Sequence, residues 1–471
     1  MNYQVPQNID PNKIFLVNRS EIKGRFDPKM TLYNKKVQNA LFPMVKLKNL
    51  LLSKPQYGAN EAGLDRLNNT QPRYIRITDI DENGLISINE LGATVANVEE
   101  KYILNNNDIL IARSGATVGK TYLHKELPYT CLYAGYLIRF LVDSQKILPG
   151  YLFSYTQLNS YKEWVNAIQR PSAQPNINAE EYQSLEIPLP DLSKQKEIVV
   201  FLSDAYRKKQ QKEQQAEEIL NSIDDYLLCE LGISLPQEDF KKTFLVGYKD
   251  IINERWDPYY HQPYFSAAFE KLKGEYDLYS IKQVSSLITS GITPLSGGDA
   301  YTNREEGVVF IRSGDIDING VIDFDKLLYI KPSVHNSIMQ SSQVRKNDIM
   351  IAIVGATIGR IGIYYSDEPA NINQAIALVR LKPNFHPDYV KEVLQSSIGQ
   401  LNLDKMKRPV ARANINLDEI GHIIIPIPPL DKQQEIINHI SKMRAQAKQL
   451  QAEGAEILQK AKLEVERMIL G

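Results

Sequence analysis

Cysteine is nearly missing. Cys131 and Cys229 are the only two in 471 residues, which excludes a disulfide framework and a cysteine metal site. His124, His261, His335, His386, His422 and His439 are scattered at no metal-ligand spacing. No apolar run approaches the ~20 residues that a membrane helix needs. The opening MNYQVPQNIDPNK lacks the basic-then-apolar pattern of a signal peptide, so a cytoplasmic protein with no membrane partner is expected. Charge of one sign is also lacking: 55 Lys and Arg face 56 Asp and Glu, a net charge of −1. That balance excludes coating nucleic acid by bulk charge but leaves room for a local basic cleft. Apolar content of 43% and charged content of 24% are those of an ordinary globular protein.

What is present is written twice. Phe15-Leu16-Val17 and Arg25-Phe26-Asp27-Pro28 return as Phe244-Leu245-Val246 and Arg255-Trp256-Asp257-Pro258. YIRITDIDENGLI (74–86) returns as FIRSGDIDINGVI (310–322), and NDILIARSGATVGK (107–120) as NDIMIAIVGATIGR (347–360). NINAEEYQSLEIPLPDLSKQKEI (176–198) returns as NINLDEIGHIIIPIPPLDKQQEI (414–436). Four collinear matches at a nearly constant offset identify a tandem duplication.

Each copy starts β-rich, with short Ile, Val, Leu and Tyr runs broken by Asn-Gly and Ser-Gly turns. A helical pattern follows over 150–165 and over 388–400. After Pro190, Gly and Pro vanish until Gly232 and the texture turns to Lys, Gln and Glu. Apolar residues there fall at Ile198, Leu202, Ala205, Ala216, Ile219, Ile223 and Tyr226, interrupted by Lys209 and Lys212. The second copy reads Ile436, Ile440, Met443, Ala447, Leu450, Gly454, Ile457 and Ala461. Both are heptad-compatible seams, and a long helix with one apolar stripe must bury it, most simply on its own repeat. The lysines would weaken the middle, where a water-filled gap would be tolerated. The expected fold is α+β: a duplicated β-rich α/β domain followed by a long helix, the two helices forming an antiparallel coiled coil with pseudo-twofold symmetry. The expected boundaries are 1–190, 191–232, 233–428 and 429–471.

No segment makes a persuasive active site. SGATVGKT (114–121) approaches a phosphate-binding loop, but its glycine spacing is one residue short and a strand pattern follows. In the second copy Arg360 and Ile361 replace Lys120 and Thr121, so a glycine-rich hairpin is the better reading. Asp257-Pro258-Tyr259-Tyr260 resembles an amine-holding methyltransferase loop, yet its partner is Asp27-Pro28-Lys29-Met30; a turn opening each repeat is preferred. Asp79 and Asp81, with Asp315 and Asp317, could share a strand face for a metal, although turn capping beside Asn-Gly is favoured. No catalytic residue and no metal ligand is therefore assigned.

Segments that differ between the copies, set between fixed strands, are the candidates for specificity. In the first copy they contribute Lys54, Gln56 and Tyr57 after the first strand, and Arg113 and Lys120 at the glycine-rich turn. Arg170, Ser172 and Gln174 precede N-I-N. The second copy offers Thr293 and Ser296, then Arg360, then Lys407, Arg408 and Arg412. Arg and Lys suit phosphates or guanine edges, and Gln suits adenine. These residues are read as DNA contacts.

The order of elements, with GATVGK and GATIGR turns and IPLPDLSKQKEI and IPIPPLDKQQEI leading into long helices, resembles the specificity subunit of type I restriction–modification enzymes. The resemblance covers essentially the whole chain. It implies a non-catalytic scaffold with two target recognition domains, each reading one half of a split, asymmetric double-stranded DNA site, held apart by the helices. It implies two methyltransferase subunits carrying S-adenosylmethionine, and restriction subunits supplying ATP-driven, Mg-dependent translocation and cleavage. Pro188, Pro190, Lys194 and Gln195, repeated as Pro426, Pro428, Lys432 and Gln433, fit helix initiation and a docking surface used twice. An assembly scaffold, or the reader of a methylation-only system, is the alternative.

Overall fold

A computed structural model describes residues 16–17, 19, 27–87, 90–169, 175–252, 255–295, 299–408 and 413–471. The chain divides into two compact units, Met1–Glu213 with Leu450–Gly471, and Gln214–Gln449. The cut falls inside both long helices, Leu192–Glu230 and Leu430–Leu470, so each unit combines one β-rich domain with a stretch of each helix.

In the first unit, a four-stranded antiparallel sheet runs in the order Gln56–Tyr57, Leu137–Phe140, Ile109–Ala112, Thr121–Leu123. A second sheet orders Leu64–Asp65, Ala93–Thr94, Arg73–Ile75 and Cys131–Tyr133, the last two parallel. The ILIA run at 109–112 is buried throughout, as expected where both faces of a strand are covered. The second unit repeats the plan with Ser285–Ser290, Ile376–Leu381, Ile349–Ala352 and Ile361–Ile363 in one sheet. Its other sheet has five strands and again pairs one couple in parallel, Val308–Ile311 with Ala370–Ile372. In both copies an Asn at positive φ, Asn107 (74°) and Asn347 (70°), turns the chain into the central strand, a conformation that Asn tolerates better than most residues.

The helical pattern over 150–165 is two helices, Pro149–Thr156 and Asn159–Ile168, repeated as Pro387–Gln395 and Ser397–Met406. Tyr151 Oη donates to the Pro188 carbonyl at 2.6 Å, and Tyr389 Oη to that of Pro426 at 2.8 Å. These bonds hold the helices against the proline-bounded exit strands, which pair back with Met44–Lys46 and Leu278–Ser280.

Within the first unit the helical stretches run antiparallel: Lys212 Nζ pairs with Glu453 at 2.7 Å, and Ile198, Leu202 and Ala205 share a core with Leu458, Ala461, Val465 and Ile469. The sequence seam placed Ile457 inward; Leu458 is the buried residue and Ile457 only half-buried. Nor is there slack at the lysines. A Cβ on Gly454 would lie 3.3 Å from the Lys209 carbonyl oxygen, so glycine admits a close helix approach while the lysine heads turn outward to Glu213 and Glu453. In the second unit the stretches are also antiparallel, with Lys432 paired to Glu230 and the Tyr226 ring stacked on His439, centroids 4.1 Å apart. No helix among the described residues is long and apolar enough to cross a membrane.

Candidate nucleic-acid interface

The repeated motifs resolve into turns. SGATVGK is a hairpin whose one-turn 3-10 segment, Gly115–Thr117, joins two antiparallel strands, and Gly119 N donates to the Ala112 carbonyl at 2.9 Å. Gly355–Thr357 does the same in the second unit. Asp81 Oδ1 accepts from Asn83 N and Leu85 N, each at 2.8 Å, and Asp317 Oδ1 from Asn319 N and Val321 N. Asp79 and Asp315 instead hold Arg76 and Arg312, raising the pKa of each guanidinium through that hydrogen bond. These acids cap and brace turns, and no metal-holding group of His, Cys, Asp or Glu occurs among the described residues. Asp27 caps the helix Pro28–Val37, and Asp257 accepts from Tyr260 N at 3.1 Å.

These turns gather the segments that differ between copies onto one region of each domain. In the first unit, Gly115 N donates to the Pro175 carbonyl at 3.0 Å, and Ser114 bridges to Asn176. Pro175 and Asn176 are thereby held beside the glycine-rich turn. Tyr57 joins them: its Oη accepts from Ala179 N at 3.1 Å, and Arg113 stacks over its ring. In the second unit Gly355 N donates to the Ala413 carbonyl at 3.0 Å, Val354 bridges to Asn414, and Ile353 N donates to the Ala375 carbonyl at 2.9 Å. Thr293 bonds Gln374, which adds the segment after the first strand. At the start of each central strand an ion pair ties it to its neighbour, Asp108–Arg139 (3.4 Å) and Asp348–Arg380 (2.6 Å). Burial raises the Asp108 pKa, partly opposed by Asn105 N–H and Arg139.

The individual candidates fall into distinct settings. Lys54, Tyr57, Thr293 and Arg408 are exposed. Gln56 belongs to a strand rather than a loop, and its amide is spent on the Lys101 carbonyl and on Arg139. Lys120 Nζ donates to the Ile80 carbonyl at 3.3 Å and Arg360 Nη1 to that of Ile316 at 3.0 Å. This repeated brace ties the glycine-rich turn to the Asp-Ile-Asp turn and leaves further donors on each cation. Lys407 pairs with Asp404 at 3.0 Å, and Arg408 reaches Glu419 at 3.5 Å. Arg170, Ser172, Gln174, Ser296 and Arg412 lie outside the described residues.

The residues expected on a docking surface are mostly interior. Pro188, Pro190, Pro426 and Pro428 are buried. Gln195 and Gln433 are 0% and 1% exposed. Gln195 Nε2 donates to the carbonyls of Pro190 (2.9 Å) and Lys146 (3.1 Å), while its Oε1 accepts from Leu148 N. Gln433 repeats this with Pro428 and His386 N. Both amides clamp a domain to its helix and present nothing outward. Lys194 and Lys432 are half-buried; Lys194 pairs with Glu197, and Glu230 and Glu435 raise the Lys432 pKa. Tyr136 escaped the sequence reading. It is 60% exposed, its carbonyl accepts from Arg113 N, and the same backbone bond in the second unit is made by Ala375. The signal was available: A-G-Y faces N-Q-A between two matched strands.

Comparison with known proteins agrees with this plan. The family model described as the type I restriction modification DNA specificity domain matches twice, over residues 58–221 and 263–459. The specificity subunit of the type I restriction enzyme EcoBI from Escherichia coli is 28% identical over 306 residues, covering 63% of this chain and 59% of that protein. The EcoKI specificity subunit from Escherichia coli strain K12 is 22% identical, covering 82% of this chain and 78% of that one. A chain from a structure of a type I R-M system, 16% identical, covers 91% of this chain and 96% of its own length with a TM-score of 0.49.

Proposed function

Because the chain belongs to the family of type I restriction–modification DNA specificity domains, we propose that it reads a split, asymmetric DNA site, one half-site per unit. The observation that carries this is the repeated gathering of the non-repeated segments. Tyr57, Arg113 and Pro175 in the first unit, and Thr293, Gln374 and Ala413 in the second, are held beside equivalent hairpins. Loops of varied chemistry on a repeated frame are where sequence recognition is expected. With a net charge of −1, counterion release from this chain alone gives weak affinity, so partner subunits supply much of the grip on phosphate.

In this reading the chain catalyses nothing. Two methyltransferase subunits dock on the two copies and bring S-adenosylmethionine, and restriction subunits bring ATP and Mg, all in the cytoplasm. The helices Leu192–Glu230 and Leu430–Leu470 set the spacing between half-sites. The decisive experiment exchanges residues 236–428 for the matching segment of another family member and sequences the methylome. One changed half-site is the expected result; two changed half-sites overturn the modular reading. A methylome indifferent to the whole chain leaves only an assembly scaffold.

A further inference from the structure

Arg66 and Arg73, both in the first unit, are 3% and 1% exposed. Neither forms an ion pair with any of the described residues, whereas Arg139 pairs with Asp108 and Arg380 with Asp348. The groups that bond or stack on them are neutral. Arg66 stacks 4.1 Å over the Tyr129 ring, and Arg73 Nη1 donates to Tyr129 Oη at 3.2 Å and to the Ser87 carbonyl at 2.7 Å. Burial pushes the Cys131 thiol up to about 11 and raises the Tyr122 phenol, so neither supplies a negative charge near neutrality. Two desolvated cations side by side without a counter-charge are strongly unfavourable.

The sheet register shows where a counter-charge fits. Tyr74 faces Ala93 and Leu64 faces Thr94, which places Arg73 opposite Thr94, with Arg66 on the same face opposite Gly92. Three buried donors there have no partner: Arg66 Nη2, Arg73 Nε and Thr94 Oγ1. Glycine at 92 lets Arg73 Nε lie close against the strand, since a Cβ there would stand 3.0 Å from it. Arg66 is held in place by the carbonyls of Gln71 and Leu91 at 2.9 and 3.1 Å. The second unit lacks the device: Val309 takes the place of Arg73 beside the parallel strand, and Ala370 that of Cys131. The fold therefore does not require Arg73.

We propose that Arg66, Arg73 and Thr94 bind a small inorganic anion of the halide class inside the first recognition domain. Two N–H donors and one hydroxyl, buried and unpartnered on one face of the sheet, suit a single-atom acceptor, and its charge offsets one of the two cations. The site is independent of the DNA-reading proposal.

The test uses the full chain exchanged into sodium gluconate, with chloride, bromide or phosphate titrated in at constant ionic strength. A saturable rise in Tm of roughly 3–8 °C with either halide is expected, on the scale of ligand-linked stabilisation. Arg73→Val, which installs the second unit's residue, and the near-isosteric Thr94→Val should abolish or weaken that response. Crystals grown in bromide should show anomalous density within hydrogen-bond reach of Arg66 Nη2 and Arg73 Nε. Equal Tm in gluconate and halide, an undiminished response in Arg73→Val, or water alone at the site would overturn the proposal. A response to phosphate without one to halide would overturn the halide assignment.

Discussion

The Arg113 guanidinium lies over the ring of Tyr57, its carbon 4.8 Å from the ring centroid. Tyr57 is in turn anchored through Oη to Ala179 N. The stack orients a cation at the point where three non-repeated segments meet, so the arginine is pre-positioned rather than searching among rotamers. Arg113→Met should lower affinity for DNA carrying the correct first half-site by about 1–3 kcal/mol, the worth of one good base contact. Competition binding with either half-site scrambled checks this. Loss of discrimination at the first half-site alone is expected, and equal loss at both would remove Arg113 from base reading. Tyr57→Phe keeps the ring but strands Ala179 N, and should cost about 1 kcal/mol of stability in urea unfolding.

Gln195 and Gln433 clamp equivalent points in the two units, a proline carbonyl and a backbone N–H, and Gln195 adds the Lys146 carbonyl. Gln433→Leu leaves the His386 N–H and the Pro428 carbonyl without partners in a buried site. A loss of about 1–3 kcal/mol is expected, read as a lower urea midpoint. Gln433→Glu keeps the acceptor for His386 N but buries a charge against a carbonyl, so it should be worse than Leu. A neutral Leu variant would mean that proline packing alone holds the helix start.

The clamp marks the limit of what sequence could say. The duplication, the strand runs, the glycine-rich hairpins and the long helices were all legible, because period and turn chemistry are local. Lys194 and Gln195 recur in one dipeptide, and recurrence alone cannot tell a docking surface from an interior bond. Burial separates them, since Gln195 points under the first helical turn while Lys194 stays half-exposed. Lys120 and Arg360 looked like free cations for phosphate, but the carbonyls of Ile80 and Ile316 that they meet lie some forty residues away in sequence. Arg66 and Arg73 drew no notice because pairing across strands, not proximity in the chain, brings them together.

His124 makes the first unit sensitive to acid. It is 4% exposed, bonds Tyr122 Oη through Nδ1 at 3.1 Å, and burial pushes its pKa from 6.5 down to about 4. A depressed folded-state value means that the stabilising effect is complete above 6.5 and is lost as pH falls through about 4. Unfolding of the native chain should therefore become easier across that window by up to about 3 kcal/mol. His124→Gln should flatten this part of the profile in urea titrations run from pH 7 to 4. The backbone bonds of His124 are made in the second unit by Tyr364, which has no charge to gain there. An unchanged slope in the variant would place the acid sensitivity elsewhere.

Lys462 presents the opposite problem, a cation buried where it gains little. It is 9% exposed on the helix Leu430–Leu470, its Nζ lies 5.7 Å from the Tyr206 ring centroid, and it donates to Asn83 Oδ1 at 3.3 Å. Desolvation, reinforced by Lys162 and Lys209 and opposed by Asp81, lowers its pKa from 10.5 to about 8. The folded state thus favours the neutral amine: its contribution is fully present above 10.5 and is lost as pH falls through about 8. At pH 7 the charged form is carried at a cost of about 3 kcal/mol on the linkage scale, reduced by its contact with the tyrosine face. Lys462→Met keeps the length and apolar stem of the side chain, so it should raise the urea midpoint at pH 7. The gain should shrink as pH climbs from 8 and vanish only above 10.5, where the wild-type amine is neutral in both states. A gain that stayed constant across this range would come from packing, and a loss at pH 7 would show that the bond to Asn83 outweighs the burial of the charge.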